Sequence, residues 1–107
     1  MDFNQLKNQV KKVDLVMLRS DDADYFEGVF STERTTVLTE ILNEFFGAPI
    51  WPSQKSLSVK VQEVIEDAGG IMEGQTLYFS DGEDKTVFAM IWPWRNGKLS
   101  TLKIAIK

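Results

Sequence analysis

The 107-residue chain has no cysteine and no histidine. That excludes a disulfide, a thiolate nucleophile, an imidazole base and a zinc site built from nitrogen and sulfur donors. Long hydrophobic runs are missing too: the longest early one, Val13 to Leu18, is broken by Asp14 and falls far short of a membrane span. The start, Met1-Asp2-Phe3-Asn4, lacks the basic segment of a secretion signal, so a cytoplasmic, unanchored protein is expected. Catalysis would have to rest on carboxylates, lysines, hydroxyls, Tyr25 or Tyr78, and no spacing forces two of these together. The expectation is therefore a non-enzyme that needs no cofactor and no metal.

The chain is 43% hydrophobic and 26% charged, the balance of one soluble domain over residues 1–107. A chain of this size buries roughly two-thirds of its unfolded surface, enough for a core without covalent staples. No repeat, low-complexity tract or long linker divides it.

Phe3, Leu6, Val10, Val13 and Met17 recur at helical spacing, with Asp2 placed as an N-cap and Gln5 as its reciprocal partner. Where that helix ends is open, because residues 13–18 also suit a strand paired with Tyr25 to Phe30 across an acidic turn. From Thr32 to Phe46, Val37, Leu38, Ile41, Leu42, Phe45 and Phe46 fill half a helical wheel, Glu33, Glu40 and Glu44 share the other side, and Gly47 is the stop. So wide an apolar arc should touch both a sheet and a second helix. After the two prolines around Trp51, Leu57, Val61, Val64, Ile65 and Ala68 mark another helix, ended by Gly69-Gly70. Glycines that follow a helix are a cap, since a phosphate cradle wants them ahead of one. Trp51 reads as a loop anchor.

Three strands complete the chain: Gln75 to Ser80, Thr86 to Trp94 and Lys98 to Ile106. A two-residue type I′ turn at Asn96-Gly97 sets Trp92 opposite Thr101, Ile91 opposite Leu102, Ala89 opposite Ile104 and Val87 opposite Ile106. One face then carries only Val87, Ala89, Ile91, Leu102, Ile104 and Ile106, as a core-facing surface should. For the preceding strand the side-chain parity depends on loop length: a three-residue loop turns Leu77 and Phe79 to that face, and a two- or four-residue loop turns Tyr78. Pro93 cannot donate to a ladder, so pairing must stop near it on one side.

The opposite face carries Phe88, Met90, Trp92 and Trp94 against Ala105, Lys103, Thr101 and Leu99. Solvent-facing strands rarely look like this, so either the N-terminal helix or the early hairpin covers the face, making three layers, or it binds something. Every charged residue after Asp84 is basic, namely Lys85, Arg95, Lys98, Lys103 and Lys107, whereas the chain as a whole has a net charge of −4. The candidate binding residues are therefore Phe88, Met90, Trp92, Trp94, Arg95, Lys98 and Lys103. An acidic protein partner, or a second copy in a homodimer that offers the Glu33, Glu40 and Glu44 side of its long helix, fits this surface. The alternative occupants of the same face are a small ligand or single-stranded nucleic acid stacked on the rings, the latter fitting less well because a pI near 4.8 gives a weak positive footprint. Asp21, Asp22 and Asp24, and Asp81, Glu83 and Asp84, are acidic knots better explained as turn chemistry than as cation ligands.

The expected fold is α+β: a C-terminal three-stranded antiparallel meander packed by two to three helices. The expected function is a small non-catalytic interaction module.

Overall fold

The computed structural model describes residues 2–52, 57–82 and 85–107. Its elements are α1 (Phe3–Lys11), β1 (Leu15–Asp21), β2 (Tyr25–Ser31), a 3-10 turn (Thr32–Arg34), α2 (Thr35–Phe46), α3 (Val59–Glu66), β3 (Thr76–Asp81), β4 (Thr86–Pro93) and β5 (Leu99–Ile106). The α+β class is as the patterning predicts, but the meander is only part of the sheet. The five strands run in the order β1-β2-β5-β4-β3, every neighbouring pair antiparallel, because the β1–β2 hairpin pairs along the free side of β5.

Local signals in the sequence explain most of the boundaries. Asp2 and Gln5 form the reciprocal cap of α1, each side chain accepting from the other's backbone N–H at 2.8 Å. The helix stops at Lys11, so residues 13–30 resolve as a hairpin and Met17 lies on a strand. Gly47, at φ +82°, closes α2, and Gly70, at φ +70°, ends α3 with its N–H on the Ile65 carbonyl at 3.0 Å.

The β4–β5 register is the one the Asn96-Gly97 spacing requires: Trp92 lies opposite Thr101, Ile91 opposite Leu102, Ala89 opposite Ile104 and Val87 opposite Ile106. The turn itself differs from the expected type I′. Only Gly97 has positive φ; its N–H reaches the Trp94 carbonyl at 3.1 Å, and the Asn96 side chain accepts from the Lys98 and Leu99 amides. Asn96 thus uses its side chain in place of a left-handed backbone, and a wider four-residue loop preserves the register. In β3, Tyr78 joins the aliphatic face, because Asp81 pairs with Thr86 and leaves a four-residue loop. Pro93 ends β4, and β3 has already stopped pairing at Thr76 opposite Ile91.

The sheet carries a core on each face. Phe26, Phe30, Ala89, Leu102 and Ile104 pack against Phe3, Leu6 and Val10 of α1 and Leu38 and Leu42 of α2. On the other face Leu77, Phe88, Met90 and Ala105 pack against Ile65 of α3 and its neighbours. The molecule is therefore three-layered, but α3 is the covering element, in place of the expected N-terminal helix or early hairpin. Trp51 works as an anchor: its backbone bridges Leu77 and closes the outer edge of β3, its Nε1 donates to the Met72 carbonyl at 3.3 Å, and its ring joins the second core. Among the described residues, no helix is long and apolar enough to cross a membrane.

Candidate protein-binding surface

The seven residues singled out from the sequence separate once α3 is in place. Phe88 and Met90 are 1% and 0% exposed beneath it, so they belong to the core and offer no surface to a partner. Trp92 is half-buried, its ring so close to Gly69 that a Cβ there would come within 2.8 Å of it. The Lys103 ammonium stands 3.5 Å from the centre of the Trp92 ring and donates to the Ala68 carbonyl at 3.0 Å, at the C-terminal end of α3. Lys107 does the same work one turn earlier, donating to the Val64 carbonyl and pairing with Asp67. Two of the late basic residues are thus spent holding α3. Desolvation holds the Lys103 ammonium below the ordinary lysine range, with Glu27 opposing that shift and Arg19 adding to it. Trp94, half-buried, and Arg95 and Lys98, exposed, remain at the hairpin tip.

The core beneath α3 extends from β3 and β4 to Ala105 of β5 and Tyr25 of β2 and stops short of β1. Among the described residues, β1 contributes nothing to that second core. The register of β1 on β2 slips twice, so that Val16 and Met17 together oppose Val29, and Arg19 and Ser20 together oppose Glu27. A bulge turns its extra residue toward the face of its neighbour. Val16 and Met17 therefore lie on the face that α3 leaves bare, 55% and 50% exposed. Arg19 sets its guanidinium 5.7 Å from the Trp94 ring and pairs with Glu27 at 3.5 Å. Trp94 donates from Nε1 to Thr101 Oγ1 at 2.9 Å, and Thr101 lies in one row with Val29 and Met17. Val16 and Met17 are thus exposed apolar residues on the face that carries Trp94, with Arg19 against the Trp94 ring and Arg95 and Lys98 exposed in the turn that follows it.

Sequence reading missed Val16, Met17 and Arg19 because helical and strand patterns overlap in residues 13–18. Only the doubled residues opposite Val29 and Glu27 decide which way those side chains point. On the same face, packed against the core under α3, the Tyr25 hydroxyl donates to Glu27 at 2.6 Å. Burial, followed by that carboxylate, pushes the Tyr25 phenol well above the ordinary tyrosine range.

The acidic knots are engaged structurally. Asp21 takes Lys7 at 2.9 Å and also Lys11, which pins α1 to the β1–β2 turn and holds the Asp21 carboxyl below the usual carboxylate range. Asp81 pairs with Lys60 and accepts from Thr86, with the same effect on its carboxyl. Glu83 and Asp84 lie outside the described residues. A groove of about 700 Å³ runs between α3 and the Trp51 segment, lined by Leu57, Ile65 and Ile71 with Glu63 and Glu66 at its rim. The chain matches no family model, no curated protein and no solved structure.

Proposed function

We propose that this protein is a non-catalytic protein-binding module, acting through the bare half of the sheet face where β1 meets the β4–β5 tip. One observation carries it: Val16 and Met17 stand half-exposed on the same face as Trp94, whose ring carries the Arg19 guanidinium and whose turn exposes Arg95 and Lys98. Apolar surface gathered around an aromatic ring and edged by arginine is the composition that protein interfaces favour at their centres. Trp94, Arg95 and Lys98 keep the role assigned from the sequence, Trp92 and Lys103 support them from behind, and Phe88 and Met90 supply the floor beneath α3. With Lys103 and Lys107 drawn onto α3, fewer cations remain to track phosphates, which favours a protein partner over a nucleic acid.

The test is a photo-crosslinking residue placed at Met17, and separately at Val59, in cells that make the protein. Val59 is 70% exposed at the start of α3, beside the groove that Trp51 and Leu57 line, so it serves as the control for chance encounter. Defined adducts with one protein species from position 17 alone are expected. Equal or absent crosslinking at both positions would remove the proposal.

A further inference from the structure

We infer that the partner which fits this surface is a second copy of the chain, presenting the outer side of α2; the inference rests on the binding surface proposed above. The ridge on α2 has the complementary chemistry. Glu33, Val37, Glu40 and Glu44 follow one another at intervals of four, three and four residues, which sets them in one stripe along the 3-10 turn and α2. All four are exposed, Val37 at 41%, where it lines a groove with Lys12 and Arg34. Among the described residues none of the three carboxylates forms an ion pair, and neither do Arg95 and Lys98. An acidic ridge with one apolar centre therefore runs along α2, and exposed basic residues stand at the β4–β5 tip, which meets the start of the ridge where the Thr32 N–H donates to the Lys98 carbonyl at 2.8 Å. Each lacks the charges that the other carries.

Two other self-contacts are weaker on physical grounds. Strip against strip would bring Arg19, Arg95 and Lys98 against their own copies, and like charges repel. Adding β1 to a second β1 would need a regular free edge, and two slips of register within seven residues break the two-residue repeat such pairing requires.

The geometry also dictates the symmetry. The α2 ridge belongs to the layer packed on Phe26 and Leu102, whereas the strip lies on the opposite face of the same sheet. The Glu40–Glu44 part of the ridge and the Val16–Met17 strip lie on opposite layers, so a two-fold pair cannot satisfy both at once. The contact is head-to-tail, so assembly continues past the dimer. This departs from the homodimer expected from the sequence.

The experiment is multi-angle light scattering on the whole chain over a range of concentrations, at low and high ionic strength. At low salt the weight-average mass should climb beyond twice 12.2 kDa, to a closed ring or an open chain, and high salt should return it to the monomer value. Arg95→Glu/Lys98→Glu should stay monomeric, as should Glu40→Lys/Glu44→Lys, each with an unchanged far-ultraviolet circular dichroism spectrum because all four positions are exposed. An equimolar mixture of the two variants should regain mass, since each then offers the other a complementary surface. A monomer at every concentration, a plateau at twice 12.2 kDa, or failure of the mixture to associate would each overturn the inference. If the mass stays monomeric while position 17 still crosslinks to a different protein, the binding module stands and only self-recognition falls.

Discussion

Gly69 satisfies two requirements at once. Its φ of +101° lies where a side chain is strained, and the space a Cβ would need is held by the Trp92 ring at 2.8 Å. Gly70 has positive φ as well but open space around it. Gly70→Ala should therefore cost only the backbone strain, about 1–2 kcal/mol. Gly69→Ala should cost measurably more in urea denaturation, because the Trp92 ring must also shift; equal losses would show that the ring is not what demands glycine there. A second comparison separates core from surface. Met90→Glu buries an unpaired carboxylate under α3 and should abolish cooperative unfolding, whereas Met17→Glu, on the bare strip, should leave the midpoint within a few degrees of wild type. Differential scanning calorimetry reads both.

At the scale of elements, α3 is the part that depends most on its surroundings. A helix of eight residues is far too short to persist alone. Ile65 and its neighbours give it an apolar footing, and lysines hold both its ends: Lys103 of β5 and Lys107, the residue after that strand, reach carbonyls at its C-terminal end, while Lys60 ties its first turn to Asp81. Positive charge at a helix C-terminus also opposes the helix dipole favourably. Lys103→Met combined with Lys107→Met should raise amide exchange across residues 64–70 roughly tenfold and leave α1 and α2 unchanged. Uniformly faster exchange over the whole chain would mean that the lysines stabilise the fold globally and not this helix. The hairpin of β1 and β2 shows the opposite dependence. Its turn is pinned from α1 through Lys7 and Lys11 on Asp21, so this element is held by one layer and its exposed residues are aimed at the other.

For the molecule as a whole, ionisation limits stability at both ends of the pH scale. Asp21 and Asp81 titrate below the unfolded value of 3.8, so their contribution is complete above that value and is lost as the pH falls through their lowered folded values. Tyr25 and Tyr78 are raised above 10.0, both chiefly by burial, so the unfolded chain ionises first and stability declines as the pH climbs past 10.0. Lys103 acts in the reverse sense: with its folded value below 10.5, the unfolded chain holds more protons, and stability rises between the two. The thermal midpoint should therefore fall on both limbs. Tyr25→Phe should flatten part of the alkaline decline and Asp21→Asn part of the acid one, each without changing the other limb.

Much of the fold is legible in the order of the residues. The cap at Asp2, the stops at Gly47 and Gly69-Gly70 and the β4–β5 register follow from side-chain size, capping chemistry and the two-residue period of a strand, all of which act over a few neighbouring positions. The candidate surface is legible only in part: Trp94, Arg95 and Lys98 stand where the hairpin tip puts them. The burial of Phe88 and Met90 and the exposure of Val16 and Met17 are decided by distant contacts. Both depend on where one short helix lies across a sheet wider than itself, and on two extra residues in β1 that local spacing does not reveal. The amino-acid sequence by itself determined the elements and the pairing of neighbouring strands. Only the tertiary structure decided which half of the aromatic face is core and which is surface, because burial is a property of what packs on top of a residue.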